Sequence, residues 1–285
     1  MNNILLTGAN GFLGGNILKN LKSSNKFIEI DLNNLDISNF KKCKDFFANK
    51  KIDIVIHAAA AKGAAESFKD PKKFIDVNFY GTLNILEAMR INKISKIIFI
   101  SSSGIYGRPK KIITEKYIKK PFNPYSLGKN LSETIIQYYA EHYDLKYVNI
   151  RPNLISGFGL TKDNLVYDIV KSIMENKNAI VFGKGLHIRQ YTHPDDISLF
   201  IKLIIKKNLF NNQSYNISNN KIRTIQLIKK IIKILGKGKI EYVKKNIKTF
   251  DLVISNNKAK NIGWKPKRNL KFIINEMIKN LKNDK

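Results

Sequence analysis

Short apolar runs alternate with segments in which apolar residues return every three or four positions, and this alternation continues through most of the chain. Residues 3–6 form one such run, and helical spacing follows through Ile17, Leu18 and Leu21. A second strand is expected over 27–31 and a third over 52–56, and a helix over 71–92 carries Phe74, Val77, Ile85, Leu86 and Met89 on one face. Further strands are expected at 96–100 and 147–150, separated by a helix through Leu131, Ile135, Ile136 and Tyr139. The stretches 223–235 and 272–281 read as amphipathic Lys/Ile helices with solvated charged faces. Strand and helix alternating in this way predict an α/β fold, a doubly wound parallel sheet of Rossmann type with a smaller C-terminal lobe.

The breaks between these elements carry the chemistry. Between the first strand and helix lies Thr7-Gly8-Ala9-Asn10-Gly11-Phe12-Leu13-Gly14. Gly8 permits a tight turn, Gly11 a close approach of backbone to a pyrophosphate, and Gly14 close packing of helix on strand, while the helix N-terminus offers free N–H groups to phosphate. The spacing is G-x-x-G-x-x-G, so its strand-turn-helix context decides the reading. The second strand ends in Asp31, placed to accept ribose hydroxyls and to repel a 2′-phosphate, which favours NAD over NADP. The connection after it is short, and Asp36 competes for that role; Asp36 and Ile37 are otherwise expected beside the adenine. The third strand breaks into His57, Ala58, Ala59 and Ala60, small residues that leave room for a ligand at a strand's carboxyl end. His57 itself is expected to be hydrogen-bonded at that strand end. Asn78 interrupts an apolar helix face, and a buried amide needs partners.

The fourth strand runs into Ser101-Ser102-Ser103, and Tyr125 and Lys129 stand four apart at the start of a helix. That spacing stacks phenol and ammonium on one face, where the ammonium is expected to favour phenolate and make Tyr125 a proton carrier.

Composition removes several other classes of function. The chain of 285 residues has 51 Lys and Arg against 22 Asp and Glu, a net charge of +29. Only six of the basic residues are Arg, the side chain that reads phosphate and guanine bidentately, and the Lys residues are spread evenly among Asn and Ile. Specific nucleic-acid binding is therefore not expected. No run approaches the ~18 apolar residues of a membrane span. The single cysteine, Cys43, fits a reducing cytoplasm and a helical packing position, and four His with one Cys argue against a metal site.

Taken in order over nearly the whole length, residues 7–14, 57–60, Asp70-Pro71 with Asn78 and Gly81-Thr82, 101–107, Tyr125 with Lys129, Arg151-Pro152, 183–196, 215–217 and 258–266 resemble the extended short-chain dehydrogenase/reductases. These are the NAD-dependent nucleotide-sugar epimerases and dehydratases, and residues 57–67 look most like the UDP-galactose 4-epimerase branch. The resemblance implies an NAD-binding part over 1–152, joined by a later strand near 213–218, and a mainly substrate-binding lobe over 153–285. It implies Ser102, Tyr125 and Lys129 as catalytic residues, with Tyr125 and Lys129 also on the cofactor. Beside Gly8, Asn10, Gly11, Phe12, Leu13, Gly14, Asp31, Asp36, Ile37, Ala58, Ala59, Ala60 and Asn78, it brings Lys62 to the NAD. It further implies Ser102, Ser103, Asn153, Arg189 and Lys245 around a nucleotide-sugar substrate, with Arg189 on the diphosphate.

Two departures qualify the resemblance. Dehydratases carry an Asp-Glu pair after the catalytic hydroxyl where this chain has Ser103 and Gly104, which points to C4 epimerisation, with net reduction of a keto-sugar as the alternative. The family's usual substrate-binding Asn is replaced by Leu154, with Asn153 one position early. A homodimer built from two helices per subunit and a role in supplying surface polysaccharide are expectations from the family alone.

Overall fold

A computed structural model of the chain describes residues 1–109, 112–160, 164–244 and 250–283. The first half runs β1 (Asn3–Thr7), α1 (Phe12–Leu21), β2 (Lys26–Ile30), α2 (Phe40–Phe47), β3 (Ile54–His57), α3 (Pro71–Ile75), α4 (Gly81–Ile91), β4 (Lys96–Ile100), α5 (Pro124–His142) and β5 (Lys146–Pro152). The second half runs β6 (Leu154–Ile155), α6 (Leu165–Met174), β7 (Ala179–Phe182), β8 (Ile188–Thr192), α7 (Pro194–Lys207), β9 (Gln213–Ile217), β10 (Lys221–Arg223), α8 (Thr224–Leu235), β11 (Ile240–Val243), α9 (Asn257–Asn261) and α10 (Leu270–Asn283).

Among the described residues the main sheet has six strands in the order β2-β1-β3-β4-β5-β9. Every pairing in it is parallel. Such a sheet is covered on both faces, which is why β1, β3 and β4 read as unbroken apolar runs and are buried almost throughout. From β2 the chain passes through a short connection straight into α2 and returns past β1 to β3, so β2 is the border of the sheet. The crossover direction reverses between β1 and β3, and a crevice for ligand opens above the carboxyl ends of those strands.

One face of the sheet packs on α1 and α7 through Ile17, Leu21, Ile197, Phe200 and Ile204, and Trp264 closes this core, its indole N–H donating to Asp196 O at 2.8 Å. The opposite face packs on α2, α4 and α5. Cys43 lies fully buried there, and burial pushes its thiol up to about 11, so it packs as a small apolar group. A separate core unites α6, α8 and α10 with β7 and β8.

The helix expected over 71–92 is interrupted. Residues Asp76–Tyr80 form a π-helical turn between α3 and α4. The extra residue in that turn rotates Asn78 out of the apolar face and towards the loop after β3, a distortion typical of functional positions.

Candidate active site

The glycine turn after β1 is built from backbone packed on backbone. Gly8 has φ +72°, and a Cβ on Gly14 would sit 1.9 Å from the Gly8 carbonyl oxygen, so only glycine lets α1 start so close to the strand. Gly11 caps α1 without a side chain, which leaves the first-turn amides facing the crevice. A cavity of about 270 Å³ opens beside the turn, lined by Gly8, Asn10, Gly11, Asp31, Ile37, Ala59 and Ala60 among others. Bare backbone, free amides and an acid on the rim fit the pyrophosphate and ribose of a dinucleotide.

The two competing acids are told apart by their bonds. Asp31 reaches the rim, where it accepts hydrogen bonds from Asn10 Nδ2 and from Asn33 N at 2.7 Å. Asp36 Oδ1 accepts from Ser38 N at 2.9 Å and from Ser38 Oγ at 2.7 Å. Asp36 forms a local Asx turn and is not among the residues lining the cavity, while its neighbour Ile37 lines it and also fills the space above Gly81.

Behind the cavity Asn78 clamps the loop after β3. Its Oδ1 accepts from Ala61 N at 2.8 Å and its Nδ2 donates to Ala61 O at 3.1 Å. Asn78 is 1% exposed, so it shapes the cofactor loop and does not itself present a group to the cavity. His57 joins this buried polar chain, with Nδ1 2.6 Å from Thr7 Oγ1 and Nε2 3.1 Å from Thr82 Oγ1. Burial and the nearby charge of Lys129 push it down to about 3, so His57 is a neutral link in the scaffold, as expected. Phe12 and Leu13 are half-buried in the first turn of α1, Ala58 follows β3, and Lys62 is exposed on the following loop.

The catalytic candidates converge where β4 meets α5. Asn123 caps α5, accepting from Ser126 N at 2.8 Å, and Pro124 occupies the first turn, so Tyr125 stands at the helix mouth and Lys129 one turn inside. Gly128 brings α5 against the Asn78 turn, where a Cβ would lie 3.0 Å from that of Asn78. Tyr125 is hydrogen-bonded to Ser102, and Ser102 Oγ also accepts from Gly104 N at 3.0 Å.

The electrostatics differ from the expectation in one respect. Lys129 is 2% exposed; its Nζ donates to the Ile100 carbonyl at 2.7 Å and lies 4.7 Å from the centre of the Phe99 ring. Burial pushes its pKa down to about 7, opposed by the carboxylate of Glu133. Tyr125 is not held below the ordinary phenol range: desolvation raises it, and the hydrogen bond from Ser102 offsets only part. In the free chain burial outweighs the Ser102 hydrogen bond, and Tyr125 is a phenol.

The substrate side is less complete. Ser103 is buried, its Oγ 3.4 Å from Asn153 Oδ1. Asn153 is 5% exposed and spends its amide on Gln190 Oε1 and Leu252 O, each at 3.2 Å, with its own oxygen taken by Leu154 N at 2.9 Å. It ties β5 to β8 and to the 252 segment, and no free hydrogen-bonding capacity is left for a substrate. Leu154 is 38% exposed, an apolar side chain open to solvent. Arg189 is half-buried, with Nη1 bonded to Ile188 O at 3.0 Å and to Phe250 O. Lys245 lies outside the described residues.

Sequence reasoning missed the pair that anchors this site. Arg151 at the end of β5 grips Glu133 of α5 through Nε at 2.8 Å and Nη2 at 2.6 Å, with both side chains almost wholly buried. Lys119 adds a contact to Glu133 at 2.9 Å, and Tyr106 Oη accepts from Arg151 Nη1 at 2.8 Å. A charged residue one turn after Lys129 on an otherwise buried helix face was the available signal.

Residues 4–218 match the sequence family described as NAD dependent epimerase/dehydratase. The chain belongs to the NAD-dependent epimerase/dehydratase family. This family's enzymes include nucleotide-sugar epimerases, and this chain is similar to a putative UDP-glucose 4-epimerase of Methanocaldococcus jannaschii, 29% identical over 99% of both chains. It is 30% identical to a UDP-glucuronate 4-epimerase of Thermodesulfobacterium geofontis, over 93% of this chain and 85% of the relative. Its fold superposes on the crystal structure of a UDP-glucose 4-epimerase from Thermotoga maritima with a TM-score of 0.88, covering 99% of each chain at 24% identity. Family membership makes this an NAD-dependent enzyme, in agreement with the glycine turn and the acid at Asp31.

Proposed function

We propose that this member of the epimerase/dehydratase family inverts C4 of a nucleotide sugar through a transient 4-keto sugar. The observation that carries the reading is the contact of Ser102 with Tyr125, with Lys129 beneath it, at a strand end that lacks an acid pair. A side chain at position 104 would begin 3.3 Å from both Ser102 Oγ and Ser126 Cβ, so an acid for expelling water has little room there.

Gly8, Gly11, Gly14, Asp31 and the loop held by Asn78 would hold the cofactor. NAD, when bound, supplies the hydride acceptor for the C4 carbon and, in its oxidised form, a positive charge on the nicotinamide ring. Tyr125 is a phenol in the free chain and acts as a base only once positive charge lies beside it; it then takes the proton of the sugar 4-hydroxyl. Ser102 shares that hydrogen bond and fixes the hydroxyl's direction. Lys129 adds charge below Tyr125, and its anchor on Ile100 O keeps the amine from reaching the substrate. When the proton returns from Tyr125 and the carbon is reduced on its opposite face, the net change is inversion, with no cofactor consumed.

The reading includes a homodimer, supported by Tyr80, Ile91, Leu127 and Tyr138, large side chains left exposed on the π turn, α4 and α5. A reducing cytoplasm suits the single buried thiol, and no described helix is long and apolar enough to cross a membrane. The test is to identify the dinucleotide that copurifies and then to incubate the protein with UDP-, GDP- and dTDP-sugars. Interconversion of C4 epimers without net change in reduced-cofactor absorbance is expected. One reduced cofactor consumed per product would sink the proposal.

A further inference from the structure

Two of the six arginines of this Lys-rich chain meet at one aromatic ring. The guanidinium carbon of Arg189 lies 5.0 Å from the centre of Phe250, and that of Arg108 lies 5.7 Å from the same ring. Arg108 also lies 5.1 Å from the ring of Phe122, which packs edge-on against Phe250 at 6.1 Å. Among the described residues no carboxylate pairs with Arg108, which is exposed. Arg189 spends only Nη1 on backbone carbonyls, and the nearby Asp251 is engaged by Ile188 N at 2.7 Å.

The position of this pair is set by the same turns that set the catalytic residues. Arg108 follows Gly107, the end of the turn that begins at Ser102. Gly107 has φ +72°, and a Cβ there would lie 2.1 Å from Lys120 O, while Lys120 N donates to Ile105 O at 2.9 Å. The two ends of the loop are therefore pinned together, with Arg108 leaving from one and Phe122 from the other, three residues before Tyr125. Two guanidinium groups held at one ring can offer charge and N–H donors to one arriving anion. The rings attract each guanidinium through their faces and leave N–H donors for oxygen.

We propose that Arg108 and Arg189 form a two-guanidinium site for an oxyanion of the substrate, with Arg108 as a substrate-binding residue of the epimerase. This rests on the nucleotide-sugar reading above. The oxyanion comes either from the diphosphate or from a carboxylate on the sugar, as in a uronate.

The experiment is calorimetric titration of the full-length protein, its dinucleotide in place, with UDP, UDP-glucose and UDP-glucuronate. Wild type is compared with Arg108→Gln and Arg108→Lys; Arg108 is exposed, so folding is not at stake. Loss of one charge-assisted contact predicts binding weaker by about 10- to 100-fold in Arg108→Gln, partly restored in Arg108→Lys. Weakening for all three ligands identifies the diphosphate as the source, and weakening for UDP-glucuronate alone identifies the carboxylate. Unchanged affinity of Arg108→Gln for all three, or a wild type that binds none of them, overturns the proposal. Turnover of the wild type is followed separately: binding without interconversion would defeat the C4 reading and leave the arginine site standing.

Discussion

The ammonium of Lys129 is bonded to the carbonyl of Ile100 at 2.7 Å, while Tyr125, one helical turn before it, is bonded to Ser102. The two side chains share a helix face but have separate anchors. Lys129 is thus a buried cation whose pKa burial pushes from 10.5 down to about 7. Between those values the unfolded chain binds a proton that the folded chain lacks, so stability rises with pH across that window, by up to ~1.4 kcal/mol per pH unit. Below about pH 7 both states hold the proton and the penalty of burying the charge is fully present. Lys129→Met should therefore gain stability relative to wild type, most at pH 6 and least near pH 10. Urea unfolding of the two proteins across that range gives the answer, and a constant difference would mean that Lys129 does not titrate there.

Tyr125→Phe keeps the ring and removes the proton carrier. Turnover should fall by about 10²- to 10⁴-fold while dinucleotide binding stays within a few-fold of wild type. If activity survived on every substrate that the wild type accepts, Tyr125 would not be the acid-base group.

Gly14→Ala places a methyl 1.9 Å from the Gly8 oxygen, and neither partner is a flexible side chain. The start of α1 must move away from β1. Overpacking of this kind costs about 1–3 kcal/mol, and dinucleotide binding should be lost with it. Thermal shift with and without NAD reads both effects at once: a lower Tm, and no rise on adding cofactor.

Asn78→Ala leaves the N–H and C=O of Ala61 without their partner. Each buried group left unpaired costs about 1–3 kcal/mol, so the loop after β3 loosens. NAD affinity should drop with kcat nearly intact at saturating cofactor, because the amide shapes the site without touching the reacting atoms.

Arg151→Met leaves the buried carboxylate of Glu133 with Lys119 as its remaining cationic partner and should cost up to about 3–5 kcal/mol. Pairing it with Glu133→Leu should recover much of that loss, since an apolar pair needs no desolvated charge. Chemical denaturation of the single and double variants measures the coupling directly.

The catalytic helix was legible in the sequence because its signals are local. Tyr125 and Lys129 stand four apart at its start, and the apolar spacing through Leu131, Ile135, Ile136 and Tyr139 follows directly. The glycine turn was legible for the same reason. The π turn at Asp76–Tyr80 was not, since one additional residue leaves the apolar spacing of 71–92 almost unchanged while moving Asn78 to a new direction. That Asp31 lines the cavity while Asp36 bonds to Ser38 follows from the path of the short connection, which spacing alone does not encode. The meeting of Arg108 with Arg189, and that of Glu133 with Arg151, joins residues far apart in sequence, and no periodicity encodes such a contact.

The short path from β2 to α2 also has a consequence for the chain's behaviour in company. With no further strand beyond it among the described residues, β2 presents an open row of backbone donors and acceptors, the usual place for two protein molecules to stitch together into aggregates. The connection supplies its own guard: Asn34 folds back and its Nδ2 donates to the Glu29 carbonyl at 3.0 Å, while Lys26 and Glu29 place charge along the border. The few residues that bring Asp31 to the cofactor rim thus also close the sheet to intruding strands.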